Sequence, residues 1–298
     1  MNRALQIAAL IVSLSLTAFA SHTVRDELGE DVVVPDHAHR IVCLAPNVTD
    51  MVFALGRGGD VVGITDYTKY PPEALQKPSV GGVIDPSLEK IVSLHPDLVL
   101  AIGDLNPADL VRSIQHLGLP IFVVHPHGLH DIYRSIENIG KAIDARQEAA
   151  ELVARLQARE AAVRQRVAGK SRPTVFFLLW ADPIMTAGRG AFITELIETA
   201  GGRSVTADLP AEWPRLSLES VLAGQPEYLL LIRGSDVTLE NLQRHGNWTR
   251  LDAVRNGKVF YADERIQLAS PVVFDALEDL ATQFHSVNGR KEDYVPSR

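Results

Sequence analysis

The chain has 298 residues and is 46% hydrophobic and 22% charged, enough apolar content for one large domain or two modest ones and unlike a disordered chain. Its formal net charge of −8 argues against a nucleic-acid binder, which needs a basic face for phosphates. The lone cysteine, Cys43, excludes an internal disulfide; set in an apolar run, it reads as a small buried hydrophobe rather than a reactive thiol.

The N-terminus carries Arg3, an apolar run over residues 4–19 and an Ala18-Phe19-Ala20 site ahead of Ser21. This is the pattern of a secretory leader, residues 1–20, cleaved after Ala20, and it implies an exported mature protein. The run is shorter than the ~20 residues a spanning helix needs. No cysteine follows it, so a lipid-anchored mature end is not expected.

Residues 24–34 read as a short β-hairpin around Gly29. "RIVCLAP" is a continuous apolar run ended by Pro46, fitting a buried parallel strand. Asn47 or Thr49 could cap the helix that follows, which stops at Gly56. "DVVGIT" is a second strand, and residues 67–82 form a loop punctuated by Pro and Gly. Ser87 caps a helix with Glu89 in its first turn, and His95-Pro96 ends it. Strand "DLVLAI", a helix over residues 106–118 and strand "PIFVVHP" complete the alternation. Residues 131–169 form the longest helical pattern, rich in Ala, Glu, Arg and Gln. Strand and helix then alternate again from "TVFFLLW" to a final helix over about residues 271–285.

The expected architecture is therefore α/β. Two Rossmann-like lobes, residues 21–130 and 171–298, are joined by a single long helix over 131–170. The chain also repeats itself. "SLEKIVSLHPDLVLAI" begins at Ser87 and "SLESVLAGQPEYLLLI" begins 130 residues later, at Ser217. Ser87/Ser217, Leu88/Leu218, Glu89/Glu219, Pro96/Pro226, Leu100/Leu230 and Ile102/Ile232 are identical, and Asp97/Glu227 keeps its charge. Core packing explains the Leu and Ile matches, but not the match of Glu89 with Glu219.

The segments "RIVCLAPNVTDMVFALG", "DYTKYPPEA", "MTAGRGAFITELIETAGG", "EWPRLSLESVLAGQPEYLLL" and "ASPVVFDALEDLA" together resemble the periplasmic binding proteins for vitamin B12 and iron–siderophore complexes, the substrate-delivery subunits of ABC importers. The resemblance covers almost the whole mature chain. It implies two α/β lobes on a rigid helix with the ligand cleft between them, and an exposed acid on each lobe that meets arginines of a permease dimer: here Glu89 and Glu219. It further implies a periplasmic monomer that binds a corrinoid, or else a ferric siderophore or haem, with no resident cofactor. Likeness is closest to the cobalamin binders. That puts Tyr67 of the "DYTKYPPEA" loop and Trp213 of "EWPRLSLE" against the ligand. Val83 and Ile102 stand where the best-known members carry tryptophans, so the aromatic set is smaller here.

Other candidates rest on weaker signals. Trp180 and Met185 follow the first strand of the second lobe and could line the cleft. Arg189, between two glycines ahead of a helix, could meet an anionic group. His125, His127 and His130 follow a strand and could bind a metal or touch a metal complex, although no metal site is assigned. A secreted metal-dependent enzyme on the same scaffold is the competing class. The chain has no G-x-S-x-G elbow, H-E-x-x-H, P-loop or paired-carboxylate motif to support it.

Overall fold

The computed structural model describes residues 20–244 and 247–286. The expected leader lies outside the described residues, apart from Ala20. The described chain opens on an antiparallel hairpin, β1 (Ser21–Arg25) and β2 (Asp31–Pro35). Its turn holds Gly29 at φ 90°, a conformation that only glycine adopts cheaply. The hairpin is longer than the 24–34 span expected from sequence.

The first lobe contains β3 (Ile41–Cys43), α1 (Pro46–Ala54), β4 (Val61–Gly63), α2 (Leu88–Ser93), β5 (Leu98–Ile102), α3 (Ala108–His116) and β6 (Ile121–Val124). Its four strands are parallel in the order β4-β3-β5-β6. Strands β3, β5 and β6 are buried at every residue, which is why they read as unbroken apolar runs rather than alternating ones. Cys43 sits among them. Burial pushes its thiol up to about 12, so it stays protonated and inert at neutral pH.

Helices α4 (Leu129–Ala142) and α5 (Arg146–Val167) lead to the second lobe. It begins with β7 (Thr174–Phe177), β8 (Trp180–Ala181), β9 (Ile184–Met185), α6 (Phe192–Thr199), β10 (Arg203–Ser204), β11 (Arg215–Leu216) and α7 (Leu218–Gly224). Then come β12 (Tyr228–Ile232), α8 (Leu239–Arg244), α9 (Asp252–Arg255), β13 (Val259–Ala262) and α10 (Val273–Phe284). The main sheet is again parallel, ordered β10-β7-β12-β13. Counted within its own lobe, each sheet has the strand order 2-1-3-4. The two lobes share one topology.

The repeated sequence is the same structural unit in both lobes. Ser87 Oγ accepts the Lys90 N–H and Ser217 Oγ accepts the Ser220 N–H, each at 3.2 Å, so both serines cap their helices. Each helix is left through a non-glycine residue in the left-handed region, His95 at φ 45° and Gln225 at φ 35°. These too are 130 residues apart. The retained charge at Asp97/Glu227 also has a structural role. Asp97 accepts the N–H groups of His39 and Arg40 at 2.9 and 3.0 Å, and Glu227 accepts the Thr174 N–H at 2.7 Å. Each acid thus fastens the entry into the first strand of its own lobe.

Two expectations are corrected. The single helix over 131–170 is a helical hairpin, broken at Ile143–Ala145 with Asp144 at φ 54°. The close crossing of α4 and α5 explains the break. A Cβ placed on Gly140 would lie 2.5 Å from the Ala149 Cβ and 2.9 Å from the Ala145 carbonyl oxygen. Helix propensity runs through the segment, but packing turns the chain back on itself. The second correction concerns α1. It starts at Pro46 with Ala45 as N-cap, and neither Asn47 nor Thr49 caps it. Thr49 lies inside the helix and its hydroxyl donates to the Ala45 carbonyl at 3.0 Å. Proline at the first helical position needs no N–H partner, which makes a side-chain cap less necessary.

One apolar cluster runs through both lobes, from Ile41 and Met51 through Ile132, Ile139 and Leu152 to Phe177, Phe274 and Phe284. Arg159 on α5 ties into α10, donating to Asp275 and Glu278 at 2.7 Å each. The lobes are therefore joined by packed helices rather than by a free linker.

Candidate functional site: the cleft between the lobes

In a parallel α/β sheet, the backbone leaves each strand C-terminus into a loop free to carry ligand-binding groups, and ligands collect there. The loops after β4, β5 and β6 form such a rim on the first lobe. The loops after β7, β12 and β13 form one on the second.

Contacts between the lobes show which loops border the cleft. Lys69, in the loop after β4, is ion-paired with Glu264, in the short 3₁₀ turn that follows β13. The hydroxyl of Tyr70 lies 3.5 Å from the same carboxylate. Glu264 holds the Lys69 ammonium above its ordinary range. Burial, with nearby carboxylates, raises the Tyr70 phenol. Deeper in, Asp50 on α1 accepts the Val272 N–H at 3.0 Å, and Glu195 on α6 accepts the Leu129 N–H at 2.9 Å.

Of the exposed aromatic side chains among the described residues, Tyr67 lies in the loop after β4, Trp180 in the segment after β7, and Trp213 between β10 and β11. Tyr67 is 68% exposed and stands two residues before Lys69. Trp180 and Trp213 are 55% and 37% exposed. Trp180 is in β8, which with β9 and β11 forms a small antiparallel sheet at the end of β7, with Trp180 opposite Met185 and Met185 opposite Arg215; Trp213 lies two residues before β11. Thr186 pins that sheet down by donating its hydroxyl to the Phe177 carbonyl at 2.6 Å. Trp180 and Trp213 are thus both on the second lobe, while Tyr67 is on the first. An exposed aromatic side chain offers a large, flat apolar face to a ligand.

Arg189 is exposed too. Its guanidinium donates to the Asp208 carbonyl at 3.1 Å and lies 3.8 Å from the Asp208 carboxylate, so its charge already has a partner. Ile102 is buried at the end of β5 and Val83 is half-buried, its carbonyl accepting from the Asn106 amide at 2.9 Å.

Glu89 and Glu219 sit in the first turns of α2 and α7, are exposed, and take part in no ion pair among the described residues. A groove of about 670 Å³ lies between α2 and α3, lined by Glu89, Val92, His95 and Leu117 among others. It is a flank of the first lobe rather than the space between the lobes.

Sequence reading missed Asp50, Lys69, Tyr70, Glu264 and Asp104. The first four matter through contacts between residues some 200 positions apart, which no local pattern reports. His125 and His127 are drawn to Asp104, whereas His130 lies in the first turn of α4 and is exposed.

A family model described as "Periplasmic binding protein" matches residues 41–266. The vitamin B12-binding protein of Salmonella choleraesuis is 29% identical over 245 residues, spanning 82% of this chain and 91% of the relative. Among solved structures, the periplasmic heme-binding protein RhuT from Roseiflexus sp. RS-1 matches with a TM-score of 0.77 and 30% identity, over 83% of this chain and 98% of that one. The periplasmic vitamin B12 binding protein BtuF of Vibrio cholerae matches with a TM-score of 0.71 and 27% identity, over 83% and 96%.

Proposed function

This chain belongs to the periplasmic binding protein family, and from that premise we propose that it captures a corrinoid between its lobes and delivers it to an ABC importer. The observation that carries this reading is the set of three exposed aromatics, Tyr67 on one lobe and Trp180 and Trp213 on the other, beside the strand ends. A large, flat, partly apolar macrocycle is the ligand such faces suit, because stacking and apolar burial need no fixed hydrogen-bond pattern. The binding reading rests also on relatives named for vitamin B12 and heme. No catalytic role is proposed. Export through a leader cleaved after Ala20 fits the family's periplasmic setting.

The mechanism is capture with modest closure. The apolar core shared by both lobes, and the Asp50–Val272 bond across them, resist a wide hinge motion. Glu89 and Glu219 occupy matching positions on two lobes of one topology. A permease with two-fold symmetry would meet the same charge twice.

Haem is the second reading, favoured by the likeness to the Roseiflexus protein. Calorimetric titration of the mature chain with cyanocobalamin, hemin and a ferric hydroxamate separates the two. One-to-one binding of cobalamin, tighter than that of the others, supports the corrinoid reading. Preference for hemin replaces it with the second, and binding of none of the three overturns both.

A further inference from the structure

Strands β5 and β6 are parallel neighbours in register, with Ile102 opposite Val124. They therefore end at the same level, and their C-terminal loops emerge side by side. After β5 comes Gly103-Asp104; after β6 comes His125-Pro126-His127. The Gly103 N–H still bonds the Val124 carbonyl at 2.9 Å. Having no Cβ, Gly103 lets the His125 imidazole lie over the backbone; a Cβ there would stand 3.2 Å from that ring.

The three side chains converge. His125 Nε2 is 2.6 Å from Asp104 Oδ1, and His127 Nδ1 is 3.6 Å from Asp104 Oδ2. The two imidazole centroids are 4.1 Å apart with the rings tilted by 59°. One donor atom from each of the three residues lies within 4.8 Å of the others.

The loop is held rather than loose. Glu27, from the turn between β1 and β2, has its side chain only 4% exposed. It accepts the His125 N–H at 2.6 Å, the Ser135 hydroxyl at 3.0 Å and the Asn138 amide at 3.1 Å. Asp131 accepts the His127 N–H at 3.1 Å. Pro126 fixes the backbone between the histidines. Next along the chain, Leu129 bonds Glu195 of the second lobe, so the cluster stands beside the meeting of the lobes.

We propose that Asp104, His125 and His127 form a binding site for a divalent first-row metal ion such as Zn²⁺, Ni²⁺ or Co²⁺. Two imidazoles and one carboxylate are a nitrogen-rich, borderline donor set that suits these ions rather than Mg²⁺ or Ca²⁺. With metal–donor distances of about 2.0–2.2 Å, the donors sit roughly 3–3.5 Å apart. The Asp104–His127 pair is already close to that spacing, and the Asp104–His125 pair reaches it by opening slightly. Three protein donors leave coordination positions for water or for a small ligand that arrives with the metal. The site is built from the loops after β5 and β6, and its three residues are not among the aromatics assigned to the corrinoid.

Untagged mature protein, stripped with a chelator, is titrated with Zn²⁺ by calorimetry and with Co²⁺ by visible absorption. One saturable equivalent is expected, with cobalt bands of a bound ion. His125→Ala, His127→Ala and Asp104→Asn should each weaken Zn²⁺ binding tenfold or more, while His130→Ala leaves it unchanged. Cyanocobalamin and hemin titrations of the same variants report whether the fold and the cleft are intact, so failure here is separate from failure of the transport reading. Absence of a saturable equivalent, or equal affinity in the wild type and all three variants, overturns the proposal.

Discussion

Asp50 on α1 accepts the backbone N–H of Val272, at the start of α10, across 222 positions of sequence and from one lobe to the other. Burial pushes the Asp50 carboxyl above its ordinary value of 3.8, against the lowering effect of its hydrogen bonds. The folded protein therefore binds this proton more tightly than the unfolded chain does. The contribution to stability is fully present below the unfolded pKa and is lost as pH rises through the raised folded one. Asp50→Asn keeps an acceptor oxygen and cannot ionise. In thermal melts from pH 4 to pH 8, the wild type should lose Tm relative to this variant as pH rises. A difference that stays flat with pH would sink the buried-acid account.

Tyr67 and Trp213 should be binding hot spots. Truncating a stacked aromatic on a desolvated macrocycle costs ~2 kcal/mol or more, about thirtyfold in Kd. Tyr67→Ala and Trp213→Ala should each weaken cobalamin binding by that factor, and Trp180→Ala should act in the same direction because it is an exposed aromatic of the same lobe as Trp213. Unchanged affinity in all three, with Tm intact, would place the ligand elsewhere.

Glu89 and Glu219 should matter to transport and not to capture. Each is exposed in the first turn of a short helix, where a lost charge costs the fold a few tenths of a kcal/mol. The double change Glu89→Ala/Glu219→Ala should leave ligand affinity and Tm nearly unaltered. Uptake into vesicles carrying the cognate permease should fall sharply, and further than with either single change. Normal uptake in the double variant would refute the docking role.

Lys69 and Glu264 bridge the lobes with side chains 64% and 33% exposed. An ion pair this open contributes under ~1 kcal/mol to folding, so Lys69→Ala should barely move the Tm. Its effect should appear in ligand dissociation, faster by severalfold at low salt and converging on wild type at high salt. Stopped-flow release at two ionic strengths measures this; a salt-independent difference would argue against an electrostatic origin.

Gly140 should tolerate no side chain. With Ala149 and the Ala145 carbonyl so near, Gly140→Ala must force α4 and α5 apart, and overpacking of this kind costs roughly 1–3 kcal/mol. Denaturant unfolding should show that loss, although alanine is the better helix former. No loss would mean that the helical hairpin opens freely.

The alternating apolar runs, the caps at Ser87 and Ser217 and the 130-residue repeat made the two-lobed α/β fold legible from sequence alone. Each depends on neighbours within a few residues: a parallel strand buried on both faces must be continuously apolar, and a helix start must satisfy its free N–H groups. The same locality explains the mistakes. Residues 131–169 have helical propensity throughout, and nothing local announces that Gly140 must pass Ala149. The repeated acids at Asp97 and Glu227 were visible as retained charge, but their role in fastening the first strands belongs to partners far upstream in the chain. Tyr67, Trp180 and Trp213 could be named from motifs; that Trp180 stands on a small sheet whose other edge strand begins just after Trp213 comes from strand pairing. Asp104 had no sequence signal at all, because it meets His125 and His127 only where two parallel strands end in register. Local physics wrote the elements, and long-range packing decided which of their ends came together.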